Sequence, residues 1–129
     1  YGIEEAGCTD RLDVLVSHCD VVYIATPHTL HASDAIRVLR AGRPVLVEKP
    51  LACCRSDALK VFEVAQTVGL FCMEALWTRF LPANQAWARE VRQGLGTLGP
   101  IRAVNVDFGF DGEGEGAPAR LLDLSLAGG

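Results

Sequence analysis

The sequence predicts an α/β fold: a doubly wound parallel sheet, followed by a second unit that begins near Trp77. Three short apolar segments, residues 21–25, 45–47 and 70–73, are separated by stretches with helical periodicity. Strands that alternate with helices in this way are typical of βαβ units, whose strands run parallel with their C-terminal ends at one edge. Residues 101–110 differ, because apolar and polar side chains alternate there as in a strand of an antiparallel sheet.

The first predicted strand follows a short helix. Thr9 and Asp10 are favourable N-cap residues, and we expect a helix from there to about Val16. Residues 21–25 form a continuous apolar segment rich in β-branched side chains. This composition predicts a strand that is buried on both faces of the sheet and ends at residues 26–27.

Two longer helices alternate with the remaining strands. The first is predicted over residues 30–41, ends at Gly42, and precedes the strand at residues 45–47. The second is predicted over residues 55–68 and ends at Gly69, before the third buried strand. The predicted apolar stripes are Ala32, Ala35, Ile36 and Leu39 in the first helix, and Ala58, Val61, Phe62 and Ala65 in the second.

The second unit is predicted to contain a loop, a helix and the alternating strand. Residues 77–80 are interpreted as the loop, with two aromatic side chains flanking a cation. Pro82 suits the first turn of a helix that runs to about Gln93 and is closed by Gly94. Trp87 lies in the middle of that helix, where we expect it to pack in a core.

Composition and charge argue against several classes of function. The 129 residues carry a net charge of −4 without a basic stripe, which argues against a nucleic-acid partner. No apolar segment reaches the roughly 20 residues that span a membrane. The five cysteines are an odd number without a C-x-x-C spacing, so we expect no disulfide framework and no metal site. A reducing cytoplasm is the simplest location.

Polar residues follow each of the three predicted parallel strands. They lie in residues 26–31, 48–50 and 74–80. Doubly wound sheets bind their ligands at the C-terminal ends of the strands, so these three segments should converge on one cleft edge. This convergence of acidic, basic and aromatic groups predicts an enzyme.

Lys49 is the candidate proton-transfer residue. A half-buried lysine has its pKa lowered by desolvation and by nearby positive charge, and can then act as an acid or base near neutral pH. Glu48 can accept hydrogen bonds from a ribose hydroxyl. Alternatively, Lys49 is a surface lysine that pairs with Glu48 or with solvent, and the tripeptide alone does not separate these interpretations.

Two further groups are candidate ligand contacts. His28 and His31 lie at the start of a predicted helix, where backbone N–H groups favour anions such as phosphate, although both histidines can simply be solvated. Trp77, Arg79 and Phe80 can line a pocket for a small polar ring, or can form a hinge that packs against the sheet.

Two groups of motifs resemble a known family. The first lies within residues 20–50 and consists of Thr26-Pro27-His28, His31, Gly42 and Glu48-Lys49-Pro50. It resembles the middle of the Gfo/Idh/MocA family of NAD(P)-dependent oxidoreductases. The second group, residues 73–82 and 99–102, is similar to one branch of that family, the trans-1,2-dihydrobenzene-1,2-diol dehydrogenases and the NADP-dependent D-xylose 1-dehydrogenases.

The resemblance implies a two-domain protein of which this chain is an internal fragment. Residues 1–76 would be the second half of a Rossmann-type NAD(P)-binding domain, and residues 77–129 the start of a substrate and dimerisation domain with an open antiparallel sheet. The family's Gly-rich phosphate loop and its second catalytic motif would lie outside the chain. We therefore expect the fragment itself to have little or no activity, and the full-length protein to form a homodimer.

The resemblance also assigns site residues. Lys49 would be the catalytic lysine, Glu48 would contact the nicotinamide ribose, and the peptide bond between Lys49 and Pro50 would often be cis. The remaining residues that would line the cofactor are Thr26, Pro27, His28 and His31. The residues that would flank nicotinamide and substrate are Trp77, Arg79 and Phe80.

The activity implied is hydride transfer between NAD(P) and a CH–OH carbon of a sugar or cyclic diol, with Lys49 as acid or base. NADP is slightly favoured over NAD by the resemblance. The alternative is a non-catalytic dinucleotide-binding or assembly protein on the same fold. Lys49 and Arg79 argue against that alternative, because a sensor has no need of a proton-transfer group.

Overall fold

The computed structural model of the chain describes residues 8–94, 96, 99–109, 123 and 125–126. The chain divides into two compact units. The first unit comprises Tyr1–Ala75 and Ala119–Gly129, and the second comprises Leu76–Pro118.

The first unit contains a three-stranded parallel sheet, which confirms the predicted fold class. Its strands are adjacent in the order β1-β2-β3, with Ile24 in register with Val47, and Val47 in register with Glu74. The elements are α1 (Leu12–Ser17), β1 (Val22–Ile24), α2 (His28–Arg40), β2 (Val45–Val47), α3 (Arg55–Val68) and β3 (Cys72–Glu74).

Predicted boundaries in this unit differ from the structure at several elements. Strand β1 is Val22–Ile24 rather than residues 21–25, and helix α2 begins at His28 rather than residue 30. Helix α1 begins after Arg11, and its first turn has no side-chain cap; Thr9 instead accepts a hydrogen bond from the Arg11 N–H. Strand β3 starts at Cys72 rather than residue 70, because the chain is still closing helix α3 at that point. Gly69 has a left-handed φ of 68°, and the Leu70 N–H bonds to the carbonyl oxygen of Ala65.

The core lies between one face of the sheet and helices α2 and α3. Val45 and Val47 of β2 are fully buried, together with Leu39 of α2 and Val61 of α3. The predicted stripe of α2 packs here as expected. In α3, Phe62 is exposed and Val64 packs against the core instead, because residues 61, 64 and 65 share one helix face.

The second face of the sheet is open within the described chain, which corrects the prediction of strands buried on both faces. Val21 is 57% exposed, Tyr23 54% and Phe71 60%. Strand β1 alternates buried and exposed residues because α2 packs on one face only and no described element covers the other. None of the helices in the described part of the chain has the length and apolar composition to cross a membrane.

The second unit differs from the prediction at three points. Residues 77–80 are not a loop but a 3-10 helix, Trp77–Phe80, which leads into α4 (Pro82–Arg92). Trp87 is 48% exposed rather than in a core. Residues 101–109 form no strand, because a strand requires a paired neighbour and none of the described residues pairs with them; Phe110 of that predicted strand lies outside the described residues.

Candidate functional site

The candidate site lies at the C-terminal ends of β1 and β2, where the sequence predicted it. The segments that follow these strands border an open depression of about 380 Å³. Its lining residues are Ala25, Thr26, Pro27, His28, His31, Glu48 and Lys49. Two of the predicted segments therefore converge within the first unit, and all of the residues predicted to contact the cofactor border the same depression.

Glu48 is held as a carboxylate by two hydrogen bonds. Its Oε1 accepts a hydrogen bond from the Tyr23 hydroxyl, and its Oε2 accepts one from the backbone N–H of Lys49 at 2.9 Å. The Tyr23 hydrogen bond, and after it the bond from Lys49 and the charges of Lys49 and His31, lower the pKa of Glu48 against the opposing effect of burial. The same hydrogen bond raises the pKa of Tyr23. Glu48 is thus ionised at neutral pH, with lone pairs left to accept further donors.

Tyr23 is a site residue that the sequence reasoning missed. It is in register with Leu46 of β2, and Glu48 follows Leu46 by two residues. Because side chains two apart on an extended chain share a face, Tyr23 and Glu48 lie on the same side of the sheet. The βα pattern predicted parallel strands, and their register was the further signal that could have identified this pair.

His31 is buried rather than solvated. It is 1% exposed, and its Nδ1 and Nε2 each lie 2.7 Å from a backbone carbonyl oxygen, of Pro50 and Thr26 respectively. The ring of His28 packs edge-on against it, with ring centroids 5.5 Å apart. His31 therefore borders the depression, but both of its ring nitrogens are engaged with the two segments that form the depression.

Lys49 lies at the rim of the depression and is exposed, not half-buried as expected. The peptide bond between Lys49 and Pro50 is cis, which confirms that expectation. Among the described residues, the ion pairs of this unit join other side chains, so the Lys49 ammonium group is not committed to a neighbouring carboxylate.

Helix α2 begins at His28, on the same edge, with its N-terminus beside the depression. Its first turn contains no acidic residue, whereas its last turn contains Arg37 and Arg40. This distribution leaves the partial positive charge of the helix N-terminus available to an anion. The helix start, the Lys49 cation and the Glu48 carboxylate together suit a ligand with phosphates and sugar hydroxyls, so the residues present fit a dinucleotide.

The three predicted substrate residues lie together on one turn in the second unit. Trp77, Arg79 and Phe80 belong to the 3-10 helix, and all three are exposed. The turn is closed by a hydrogen bond from the Arg79 N–H to the carbonyl oxygen of Leu76. It presents two aromatic rings and a guanidinium on a short, ordered segment.

Metal and disulfide chemistry find no support in the part of the chain that the structure describes. No group of three or more His, Cys, Asp or Glu side chains could hold a metal ion there. Cys19, Cys53, Cys54 and Cys72 form no disulfide.

The chain is similar to nicotinamide-dependent oxidoreductases. Residues 1–76 match the Gfo/Idh/MocA family model, described as an oxidoreductase family with an NAD-binding Rossmann fold. Trans-1,2-dihydrobenzene-1,2-diol dehydrogenase of Mus musculus is 39% identical over 92 residues, 71% of this chain and 27% of that protein. D-xylose 1-dehydrogenase (NADP(+)) of Hypocrea jecorina is 33% identical over 119 residues, 85% of this chain and 29% of that protein.

Solved structures show the same relationship. The 3-ketoreductase KijD10 from Actinomadura kijaniata, in complex with TDP-benzene and NADP, superposes with a TM-score of 0.58 and 36% identity, over 66% of this chain and 28% of that one. The WlbA dehydrogenase from Bordetella pertussis, in complex with NADH and UDP-GlcNAcA, gives a TM-score of 0.62 and 27% identity, over 67% and 25%. The chain thus spans between a quarter and a third of the length of these proteins.

Proposed function

The chain belongs to the Gfo/Idh/MocA family of oxidoreductases, which has an NAD-binding Rossmann fold, and from this membership we propose that the intact protein is an NAD(P)-dependent dehydrogenase. Its substrate would be a sugar or cyclic diol, oxidised at a CH–OH carbon. The observation that carries the proposal is the position of Glu48 and Lys49. They follow β2 directly, at the depression where helix α2 begins.

The residues that would hold the cofactor are those that border the depression. Thr26, Pro27 and His28 form the turn into α2, where backbone N–H groups attract anionic groups. Glu48 would accept hydrogen bonds from ribose hydroxyls, a role that suits an ionised carboxylate with unused lone pairs. His31 would hold this turn in place, because its two ring nitrogens contact the backbone carbonyl oxygens of Pro50 and Thr26.

Lys49 would move the proton. A bound nicotinamide supplies the hydride acceptor or donor. In the oxidation direction, the neutral Lys49 amine accepts the proton of the substrate hydroxyl; in the reduction direction, its ammonium form gives that proton to the carbonyl oxygen. The exposed position of Lys49 at the rim leaves its side chain accessible to a substrate.

The substrate class is inferred from the relatives and from the second unit. The names of the relatives specify a cyclic diol and a sugar. The turn Trp77–Phe80 offers aromatic surface and guanidinium donors, which suit a ring that carries hydroxyl groups. We therefore assign Trp77, Arg79 and Phe80 to substrate binding.

NADP is the cofactor that we favour, since one relative is named for NADP(+) and KijD10 was solved with NADP, although WlbA was solved with NADH. The proposal includes a homodimeric protein in the cytoplasm. It also includes the absence of activity in residues 1–129 alone, because the family's phosphate loop and second catalytic motif would lie outside them.

The test is the substitution Lys49→Met in the full-length protein. We expect kcat to fall by about 10²- to 10⁴-fold, because the proton-transfer group is removed, while the Kd for NADPH stays within about twofold. The measurement is steady-state turnover with diols and aldoses, together with fluorescence titration of the cofactor.

Lys60→Met is the matched control, since it makes the same substitution at an exposed lysine of α3 that forms an ion pair with Asp57, away from the depression. Its kcat should equal that of the wild type. Unchanged turnover in Lys49→Met would contradict the catalytic role. Cofactor binding without any turnover in the wild-type protein would favour the alternative, a non-catalytic dinucleotide-binding protein.

A further inference from the structure

One peptide unit next to Lys49 is held at both of its polar atoms. The Pro50 carbonyl oxygen lies 2.7 Å from His31 Nδ1, and the Leu51 N–H donates to Glu74 Oε1 at 2.9 Å. The carbonyl of Pro50 and the N–H of Leu51 belong to the same planar peptide group. An imidazole ring and a carboxylate therefore bind the two ends of one rigid group, directly after the proposed catalytic lysine.

Both ring nitrogens of His31 face backbone acceptors. Its second nitrogen, Nε2, lies 2.7 Å from the Thr26 carbonyl oxygen. A carbonyl oxygen can only accept a hydrogen bond, and a neutral imidazole has only one N–H to donate. Both contacts on this ring can be hydrogen bonds at the same time only when both nitrogens carry protons.

The charges are arranged favourably around this peptide. An imidazolium at His31 would lie at the carbonyl end of the peptide dipole, and the carboxyl group of Glu74 lies at the N–H end. Hydrogen bonds to charged groups are stronger than those between neutral groups. The buried His31 ring has a carbonyl acceptor at each nitrogen, which is the condition for keeping such a charge out of water.

We propose that His31 and Glu74 are positioning residues that form a charged clamp on the peptide between Pro50 and Leu51. The clamp ties together the ends of all three strands. Thr26 follows β1, the clamped peptide follows β2, and Glu74 is the last residue of β3. The effect of the clamp on catalysis rests on the proposed function of Lys49. The existence of the clamp does not depend on that function.

The protonation of His31 is tested directly on the wild-type protein. In the full-length protein labelled with ¹⁵N-histidine, we expect long-range ¹H–¹⁵N spectra at about pH 7 to show both ring nitrogens of His31 as protonated. The signals are assigned by their loss in His31→Gln. A spectrum in which one His31 nitrogen lacks a proton would overturn the proposal, and this result does not depend on any turnover.

The coupling between the two residues is tested with a double-mutant cycle. Full-length His31→Gln and Glu74→Leu should each lower kcat by about 10- to 100-fold, because a small displacement of a catalytic group is costly. The double variant should be no worse than the poorer single variant, since both residues act through one peptide. Effects that multiply would contradict the clamp.

Glu74→Gln is the conservative variant. Its amide oxygen can still accept the Leu51 N–H, so it should retain several times more kcat than Glu74→Leu; equal losses would contradict a positioning role. Glu63→Gln, at an exposed position of α3, is the control and should leave kcat unchanged. If Lys49→Met keeps full turnover, the dehydrogenase mechanism fails. The clamp is then still tested by the ¹⁵N spectra and by the thermal unfolding midpoints of the His31→Gln and Glu74→Leu double-mutant cycle.

Discussion

At the scale of single residues, the pair formed by Tyr23 and Glu48 determines the charge at the candidate site. Tyr23 donates its hydroxyl to Glu48, and this contact is the largest cause of the lowered pKa of Glu48. The sequence predicted the position of Glu48 at the end of β2 but not its partner. Apolar neighbours on both sides of Tyr23 favoured its interpretation as one more strand residue.

The pair predicts a specific dependence of stability on pH. A lowered pKa in the folded state stabilises the protein fully above the ordinary value of 4.5, and this contribution is lost as the pH falls through the folded-state value. Tyr23→Phe removes the main cause, so the variant should be less stable than the wild type at neutral pH, and the difference should shrink in acid. Thermal midpoints from about pH 7 to about pH 3 measure this difference.

Glu48→Gln provides the control for this experiment. With the ionisable group gone, the further substitution Tyr23→Phe should produce no additional change with pH. A constant difference between wild type and Tyr23→Phe across the whole range would show that the hydroxyl acts through packing and not through the charge of Glu48.

At the scale of elements, bounds set by local signals were predicted better than bounds set by strand pairing. Helix α3 was predicted with the bounds that it has, Arg55–Val68, because its periodicity and its closing Gly69 are both local signals. Strand β3 was displaced, since its start depends on pairing with β2. Residues 101–109 alternate apolar and polar side chains as a strand does, but they form no strand. A strand also needs a neighbouring strand to pair with, and the alternation does not supply one.

The end of α3 gives a prediction about stability. Gly69 has a φ of 68°, a left-handed conformation, and a Cβ added there would meet no atom within 4 Å. Gly69→Ala should therefore destabilise the protein by about 1–2 kcal/mol through backbone strain alone. The free energy of unfolding from denaturant titration of the full-length protein measures this cost.

Gly96→Ala is the matched control, because its Cβ would also meet open space and its φ lies outside the left-handed region. It should change the free energy of unfolding by less than about 0.5 kcal/mol. Similar losses in both variants would point to a general effect of alanine at glycine positions and contradict the strain at Gly69.

At the scale of the whole molecule, the described chain leaves one face of its sheet uncovered. Val21 and Phe71 are more than half exposed there. The chain spans between a quarter and a third of its relatives' length. The comparisons confirm the family and the parallel sheet; the assignment of residues 77–129 to a substrate domain stays a prediction.

The open face predicts how the 129-residue chain behaves alone. We expect it to bind a hydrophobic dye such as ANS and to unfold with a broad thermal transition, because its exposed apolar side chains lack partners. We also expect no NAD(P)-dependent turnover, for the reason given with the proposed function. The full-length protein serves as the comparison. A sharp, cooperative transition without dye binding in the short chain would contradict this expectation.

The sequence by itself determined the parallel α/β fold, the bounds of β2 and α3, and the place of Glu48 and Lys49 at a strand end, since these follow from short-range periodicity and from residues adjacent in the chain. Only the tertiary structure decided what holds them. The hydrogen bonds of Glu48 with Tyr23, of Glu74 with Leu51 and of His31 with Pro50 join residues 25, 23 and 19 positions apart. Such contacts depend on which strand ends the fold brings together, and no local pattern specifies them.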